Sequence, residues 1–173
     1  NLLLRQIIYE YKYRYIRELS EPLANLAINF LTANRLITSL STNKLTNWKT
    51  DELILIPVPL HGRRLAWRGF NQSKILAQKI SAHFNVNLID DILIRSRHTL
   101  PQREIKKHRD RAANIKNAFA LAPKLNTEKN ILKNKIIILV DDICTTGATI
   151  EDCARALRPL APKEIWGLVI ARG

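Results

Sequence analysis

The run Ile136-Ile-Ile-Leu-Val140, followed by Asp141-Asp142 and then Ile143-Cys-Thr-Thr-Gly-Ala-Thr149, constrains the fold more than any other part of the chain. Five consecutive aliphatic residues suit a strand buried on both faces, as found inside a parallel sheet. Such a strand needs helices above and below it, so strands and helices should alternate along the chain. Val140 is expected to end the strand. The two carboxylates would then project from its carboxyl end, where open parallel sheets bind their ligands.

The remaining patterning fits an α/β parallel sheet flanked by helices. Leu3, Leu4, Ile7, Ile8, Tyr11 and Tyr15 follow helical spacing, with Arg5, Lys12 and Arg14 on the other face. Ser20-Glu21-Pro22 resembles a helix start with Ser20 as cap, opening a helix through Leu23, Leu26, Ala27, Phe30 and Leu31. Thr38 to Thr50 is polar and reads as a loop. Leu53 to Pro57 is a short apolar run closed by proline, a buried strand that a loop should follow. Ile75, Leu76, Ile80 and Phe84 return to helical spacing, Leu88 to Ile94 reads as one strand, and Ala118 to Ala122 as a short one. Ile150, Cys153, Ala154 and Leu157 mark a last helix, and Glu164 to Ala171 a last strand. A single domain over 1–173 is expected, with 1–50 a helical N-terminal part or hood and 51–173 the core.

Charge narrows the partners. The 28 Lys and Arg against 15 Asp and Glu give a formal net charge of +13, which favours polyanions. Eight of the basic residues lie between Arg95 and Lys116, with only Glu104 and Asp110 among them. No apolar run approaches the roughly 20 residues of a membrane-spanning helix, so a cytoplasmic protein is expected. Two cysteines nine positions apart, Cys144 and Cys153, offer neither a CxxC pair nor a Cys/His cluster. They read as reduced core thiols, with no zinc in this chain. The sequence contains no methionine, so an N-terminal piece is expected to be missing.

Three segments carry chemistry. In the first, Thr145, Thr146, Gly147, Ala148 and Thr149 open a helix, where backbone amides and hydroxyls cradle a phosphate and small residues allow close approach. Asp141 and Asp142 would repel that phosphate, but they suit sugar hydroxyls, or a magnesium ion reached through hydroxyls or water. The two halves describe a ribose 5-phosphate site. In the second, Pro57 to Gln72, Arg63, Arg64 and Arg68 occur without an intervening acid and match diphosphate oxygens, with His61 as a further donor. Trp67 and Phe70 are expected to pack this segment down. The third segment is the basic run itself, whose charge exceeds what one diphosphate needs and suggests a nucleic-acid track through Arg103, Lys106, Lys107, Arg111 and Lys116.

The first segment resembles the phosphoribosyl pyrophosphate motif of the type I phosphoribosyltransferases, in which apolar residues precede two acids and a TTGxT-like loop. The resemblance implies that Asp141 and Asp142 hold the ribose hydroxyls and Thr145 to Thr149 the 5-phosphate. PVPLHGRRLAWRGFNQ, the early KYRY and RSRHTLPQREIKKHRDRAANIKNAF narrow the likeness to the ComF family of competence-associated phosphoribosyltransferase-like proteins. It covers roughly Tyr11 to Arg172. Members commonly carry a cysteine-rich zinc ribbon, which is not seen here. The family likeness also implies a mobile loop over the substrate, with Arg97 and Arg109 as its catalytic candidates and Gln102 and Asn114 matching the pattern.

Two functions follow as expectations. One is a protein that binds phosphoribosyl pyrophosphate with magnesium, the metal held by no protein ligand directly. It would handle single-stranded DNA in natural transformation beside a competence helicase, with self-association compatible. The other is an active phosphoribosyltransferase of nucleotide metabolism, akin to purine salvage, with an unidentified acceptor. Few residues are aromatic (6%), so DNA affinity should be mainly electrostatic.

Overall fold

The computed structural model describes residues 2–14, 16–34, 36–38, 48–97, 115–123 and 130–172. Helices α1 (Leu2–Tyr13) and α2 (Ser20–Ala33) come first, followed by short strands β1 (Ile37–Thr38) and β2 (Trp48–Lys49). Strand β3 (Leu53–Pro57) leads through α3 (Gly62–Arg68) and α4 (Gln72–Phe84) to β4 (Asn87–Leu88) and β5 (Leu93–Arg95). Then come β6 (Phe119–Leu121), β7 (Ile136–Cys144), α5 (Ala148–Leu157) and β8 (Glu164–Arg172).

The main sheet has the order β4-β3-β7-β8, and every neighbouring pair is parallel. Side chains alternate across it, so the aliphatic runs of β3 and β7 feed two cores. Leu53, Leu55, Ile136, Ile138 and Val140 pack with Ile8, Tyr11, Leu23, Leu31, Leu76 and Ile80 of α1, α2 and α4. Ile54, Ile56, Ile137 and Leu139 pack on the opposite face with Leu93, Phe119, Cys153 and Leu157 of β5, β6 and α5. Each such side chain contributes about 1.5–3 kcal/mol on burial, which accounts for the wholly apolar make-up of these runs.

Several elements depart from the sequence expectation. Ser20 is no cap: a 3₁₀ turn over Arg17–Leu19 runs straight into α2, so the chain is already helical, Leu19 occupies the cap position and Ser20 is buried. The loop expected after Pro57 contains helix α3, ended by Gly69 at φ 76, a backbone conformation that glycine adopts without strain. The single strand expected over Leu88 to Ile94 is divided in two. Its first part pairs parallel with β3, while β5 turns away to pair antiparallel with β6. Asp90 in the connection is held by Lys74 at 2.7 Å. The ends of the expected Thr38–Thr50 loop pair as β1 and β2, also parallel; residues 39–47 lie outside the described residues.

The departure that matters most is in β7. The strand does not stop at Val140 but continues to Cys144, with Asp141 opposite Val169 and Cys144 opposite Arg172 of β8. Strand β3 has left by then, its last link being Val58 N–H to the Val140 carbonyl at 2.9 Å. Past Val140, β7 is therefore paired on one side only. The opened side is the crevice in which the candidate site lies.

Candidate functional site

Strand β7 and helix α5 meet at Thr145–Gly147. Gly147 stands at φ 84 as the residue before α5, and the Thr146 hydroxyl accepts from the Ala148 N–H at 3.2 Å, closing the turn. A shallow, open depression lies at this turn, lined by Asp141 and by Ile143 through Ile150. The first-turn amides of a helix have no acceptor within the helix, so the turn presents donors and a positive dipole end. Thr145, Thr146, Gly147, Ala148 and Thr149 are thus brought together on one wall.

The two carboxylates are not equivalent. Asp141 lines the pocket, and its Oδ1 accepts from the Ser73 hydroxyl and from the Asp142 N–H, both at 2.9 Å. Asp142 is 3% exposed, stands apart from the pocket lining, and accepts from the Ile143 N–H at 2.7 Å. It lies close enough to Tyr11 to act on its phenol, whose pKa is raised by burial first and by the Asp142 carboxylate second. Tyr11 in turn donates to the Gln72 carbonyl at 3.1 Å, so the N-terminal helix is tied to the start of α4 beneath the site.

Helix α3 leads into α4, whose start reaches Asp141 through Ser73. Asn71 caps α4 by accepting from the Ser73 N–H at 3.1 Å and donates from Nδ2 to the Val58 carbonyl at 3.0 Å, which anchors the helix to the end of β3. That anchoring places Ser73 against Asp141. Arg68 donates to Gln72 Oε1 at 3.1 Å. Arg95, at the end of β5, lies over the Phe119 ring at 5.3 Å, and its pKa is pushed down to about 10. Burial is the main cause, followed by repulsion from Arg64, with Asp141 opposing the shift and Arg68 adding to it. Arg64, Arg68, Arg95 and Asp141 therefore share one electrostatic neighbourhood, contributed by three separate elements.

Asp152 of α5 organises the flank. Burial opposes its charge, but the Arg155 hydrogen bond and the amides of Phe119 and Asn117 outweigh that and hold its pKa below the usual carboxylate value. Those contacts measure 2.8, 3.0 and 2.9 Å, and Arg155 also donates to the Phe119 carbonyl at 3.0 Å. The end of the basic segment is thereby pinned to α5.

Other expected residues fall as follows. His61 precedes α3 and accepts from the Arg63 N–H at 3.3 Å; Arg63 is exposed, while Arg64 and Arg68 are half-buried. Arg97 and Lys116 are exposed at the two edges of the basic segment. Gln102, Arg103, Lys106, Lys107, Arg109, Arg111 and Asn114 lie outside the described residues. Trp67, expected to pack this segment down, is 73% exposed, while Phe70 is half-buried with its ring 6.0 Å from that of Tyr11. Cys153 is a fully buried thiol as expected, but Cys144 is half-buried on the pocket wall. Ser73, Arg95 and Asp152 were missed by sequence reasoning. Ser73 sits in a helical pattern and Arg95 in a basic run, so only the fold distinguishes them from their neighbours.

Among the described residues, no three His, Cys, Asp or Glu side chains converge to hold a metal, and no helix is long and apolar enough to cross a membrane. Asp141 on the pocket wall is an oxygen donor of the kind that magnesium takes together with a ligand's own oxygens.

The profile of the phosphoribosyl transferase domain matches residues 69–172. Competence protein F of Haemophilus influenzae (strain ATCC 51907 / DSM 11121 / KW20 / Rd) is 40% identical over 119 residues, 68% of this chain and 50% of that protein. DNA utilization protein YhgH of Escherichia coli O157:H7 is 34% identical over 66% of this chain and 48% of its own length. Competence protein ComFC of Bacillus subtilis (strain 168) is 31% identical over 60% and 38%. The matches span about half the length of the first two relatives. The profile covers well over half of the chain and competence proteins stand among its relatives, so the chain belongs to the phosphoribosyl transferase domain family and, within it, to the ComF family.

Proposed function

We propose that the crevice binds phosphoribosyl pyrophosphate with magnesium and that the protein uses this site in handling single-stranded DNA. The observation that carries the proposal is the pocket itself, in which Asp141 and the Thr145–Thr149 turn share one wall. The turn takes the 5-phosphate, and Asp141, oriented by Ser73, takes the ribose hydroxyls. Asp142 supports the turn from beneath through the Ile143 amide. Arg64, Arg68 and Arg95 face the diphosphate end, where guanidinium groups stabilise developing negative charge. Magnesium, when bound, neutralises the diphosphate oxygens.

The DNA part rests on the net charge of +13 and on the names of the relatives, one a DNA utilization protein and others competence proteins. A competence helicase as partner belongs to the same proposal. Phosphoribosyl transfer to an acceptor is a second reading, favoured by the family profile.

Thermal unfolding with and without phosphoribosyl pyrophosphate and magnesium tests the ligand. A ligand at a hundredfold excess over its Kd stabilises by about 2.7 kcal/mol, and an unmoved midpoint at millimolar ligand counts against the proposal. An oligonucleotide titration should show affinity falling steeply with salt. A flat salt response removes the electrostatic track. Pyrophosphate release across a panel of nucleobases decides the second reading.

A further inference from the structure

The two edges of the main sheet are built differently. At one edge stands β4, two residues long, and a very short edge strand is a common way of keeping a sheet from pairing with another chain. At the other stands β8, nine residues long and paired with β7 alone among the described residues. Its interior, Ile165 to Ala171, contains no charge and no proline, so it lacks the devices that blunt an edge. None of its residues is buried, whereas every residue of β3 is. The surface beside this edge is apolar. Helix α2 packs over β8 on one side and meets α4 on the other, through Glu21 and Lys79. Leu26 and Phe30, one turn apart on the side of α2 turned away from Glu21, keep 49% and 55% of their surface in solvent. Trp166 shares its sheet face with Leu168 and Ile170, which pack toward α2, and is 46% exposed although its ring lies 5.3 Å from that of Trp48.

We infer that β8 pairs antiparallel with β8 of a second copy of this chain, about a two-fold axis at Leu168, and so joins the two four-stranded sheets into one. Charge complementarity selects this occupant. Glu164 and Arg172, the only charged residues of β8, stand at equal distances on either side of Leu168, so an antiparallel copy in this register sets each Glu164 opposite an Arg172. Both residues are exposed, and the Trp166 indole N–H donates to Glu164 at 2.7 Å, holding that carboxylate beside the strand. Between the charged ends, Trp166 of each copy faces Ile170 of the other, and the two Leu168 side chains meet on the axis. The two-fold keeps both α2 helices on one face of the joined sheet, where Leu26 and Phe30 flank the seam. The two crevices then open at opposite ends of that sheet. Pairing also braces each site, because past Val140 the strand that carries Asp141 is held by β8.

Sedimentation velocity on the whole chain across micromolar concentrations forms the test, at moderate salt because two copies of net charge +13 repel until screened. Wild type should pass from the 19.9 kDa monomer to a dimer as concentration rises. Glu164→Arg and Arg172→Glu each set like charges opposite one another at both ends of the seam, and each should weaken association by about 5- to 50-fold. The two changes shift the net charge in opposite directions, so a loss in both reports pairing and not overall repulsion. The double variant restores opposite charges and should recover the wild-type dimer. Circular dichroism of all variants should match wild type, since both residues are exposed. A wild type that stays monomeric overturns the inference and leaves the edge to a different partner. A dimer that the single variants leave unchanged overturns β8 as its seam, and a double variant no better than the singles overturns the register.

Discussion

Ser73 on α4 and Asp141 on β7, 68 positions apart in sequence, are joined by a hydrogen bond of 2.9 Å from the serine hydroxyl to the carboxylate. This bond links the start of α4, which follows the arginine-bearing α3, to the carboxylate of β7. It exists because Asn71 ties the start of α4 to the end of β3 and because β3 leaves the sheet where β7 continues. Replacing Ser73 by Ala should leave the fold intact and remove one of the hydrogen bonds that orient Asp141. A neutral hydrogen bond to a charged group is worth about 1.5–3 kcal/mol, so a loss of roughly tenfold or more in affinity for phosphoribosyl pyrophosphate is expected by calorimetry, with an unfolding midpoint within a few degrees of wild type.

Gly147 to Ala separates backbone strain from steric fit. A Cβ there would meet nothing closer than Glu151 Oε1 at 3.8 Å, so space is not the obstacle. The cost lies in φ 84, about 1–2 kcal/mol for a residue with a side chain. Urea denaturation should show that loss, and weaker phosphate binding should accompany it as the turn relaxes.

Arg95 sits where a cation is unfavourable, its pKa pushed down to about 10 by burial and by the neighbouring Arg64. Replacement by Met keeps the volume and removes the buried charge, a change that is often neutral or stabilising. The expected result is an unliganded protein with a raised unfolding midpoint and weakened binding of inorganic pyrophosphate. A drop in both would mean that Arg95 serves packing through Phe119 instead.

Asp152 should control acid stability. Its pKa is depressed in the folded protein, so its contribution is complete above the unfolded value of about 4 and is lost as pH falls through the folded value. Asp152→Asn should therefore flatten the acid limb of a stability–pH curve measured by denaturation. Asp152→Ala, which leaves two amides and Arg155 without their acceptor, should cost about 2–4 kcal/mol at neutral pH.

The sheet was legible because β3 and β7 are uninterrupted aliphatic runs, and α5 because its apolar face recurs at helical spacing. The pocket turn was legible because an acid pair, three threonines and a glycine lie within nine residues directly after the aliphatic run. What escaped reading depends on contacts between distant segments. Whether β7 ends at Val140 or Cys144 is decided by β8, which continues alongside it. Whether Asp141 and Asp142 act alike is decided by the surrounding fold, which buries Asp142 and leaves Asp141 on the pocket. Large aromatics usually pack, and nothing local in the sequence of α3 marks Trp67 as the exposed one and Phe70 as the half-buried one.

Calorimetry of phosphoribosyl pyrophosphate with magnesium, comparing wild type with Asp141→Asn and with Asp141→Asn combined with Asp142→Asn, tests the central claim most directly. Asp141→Asn should lose about a hundredfold in affinity, with the folded signal preserved by circular dichroism, and the double variant should lose little more. Equal affinity in all three proteins would contradict that claim.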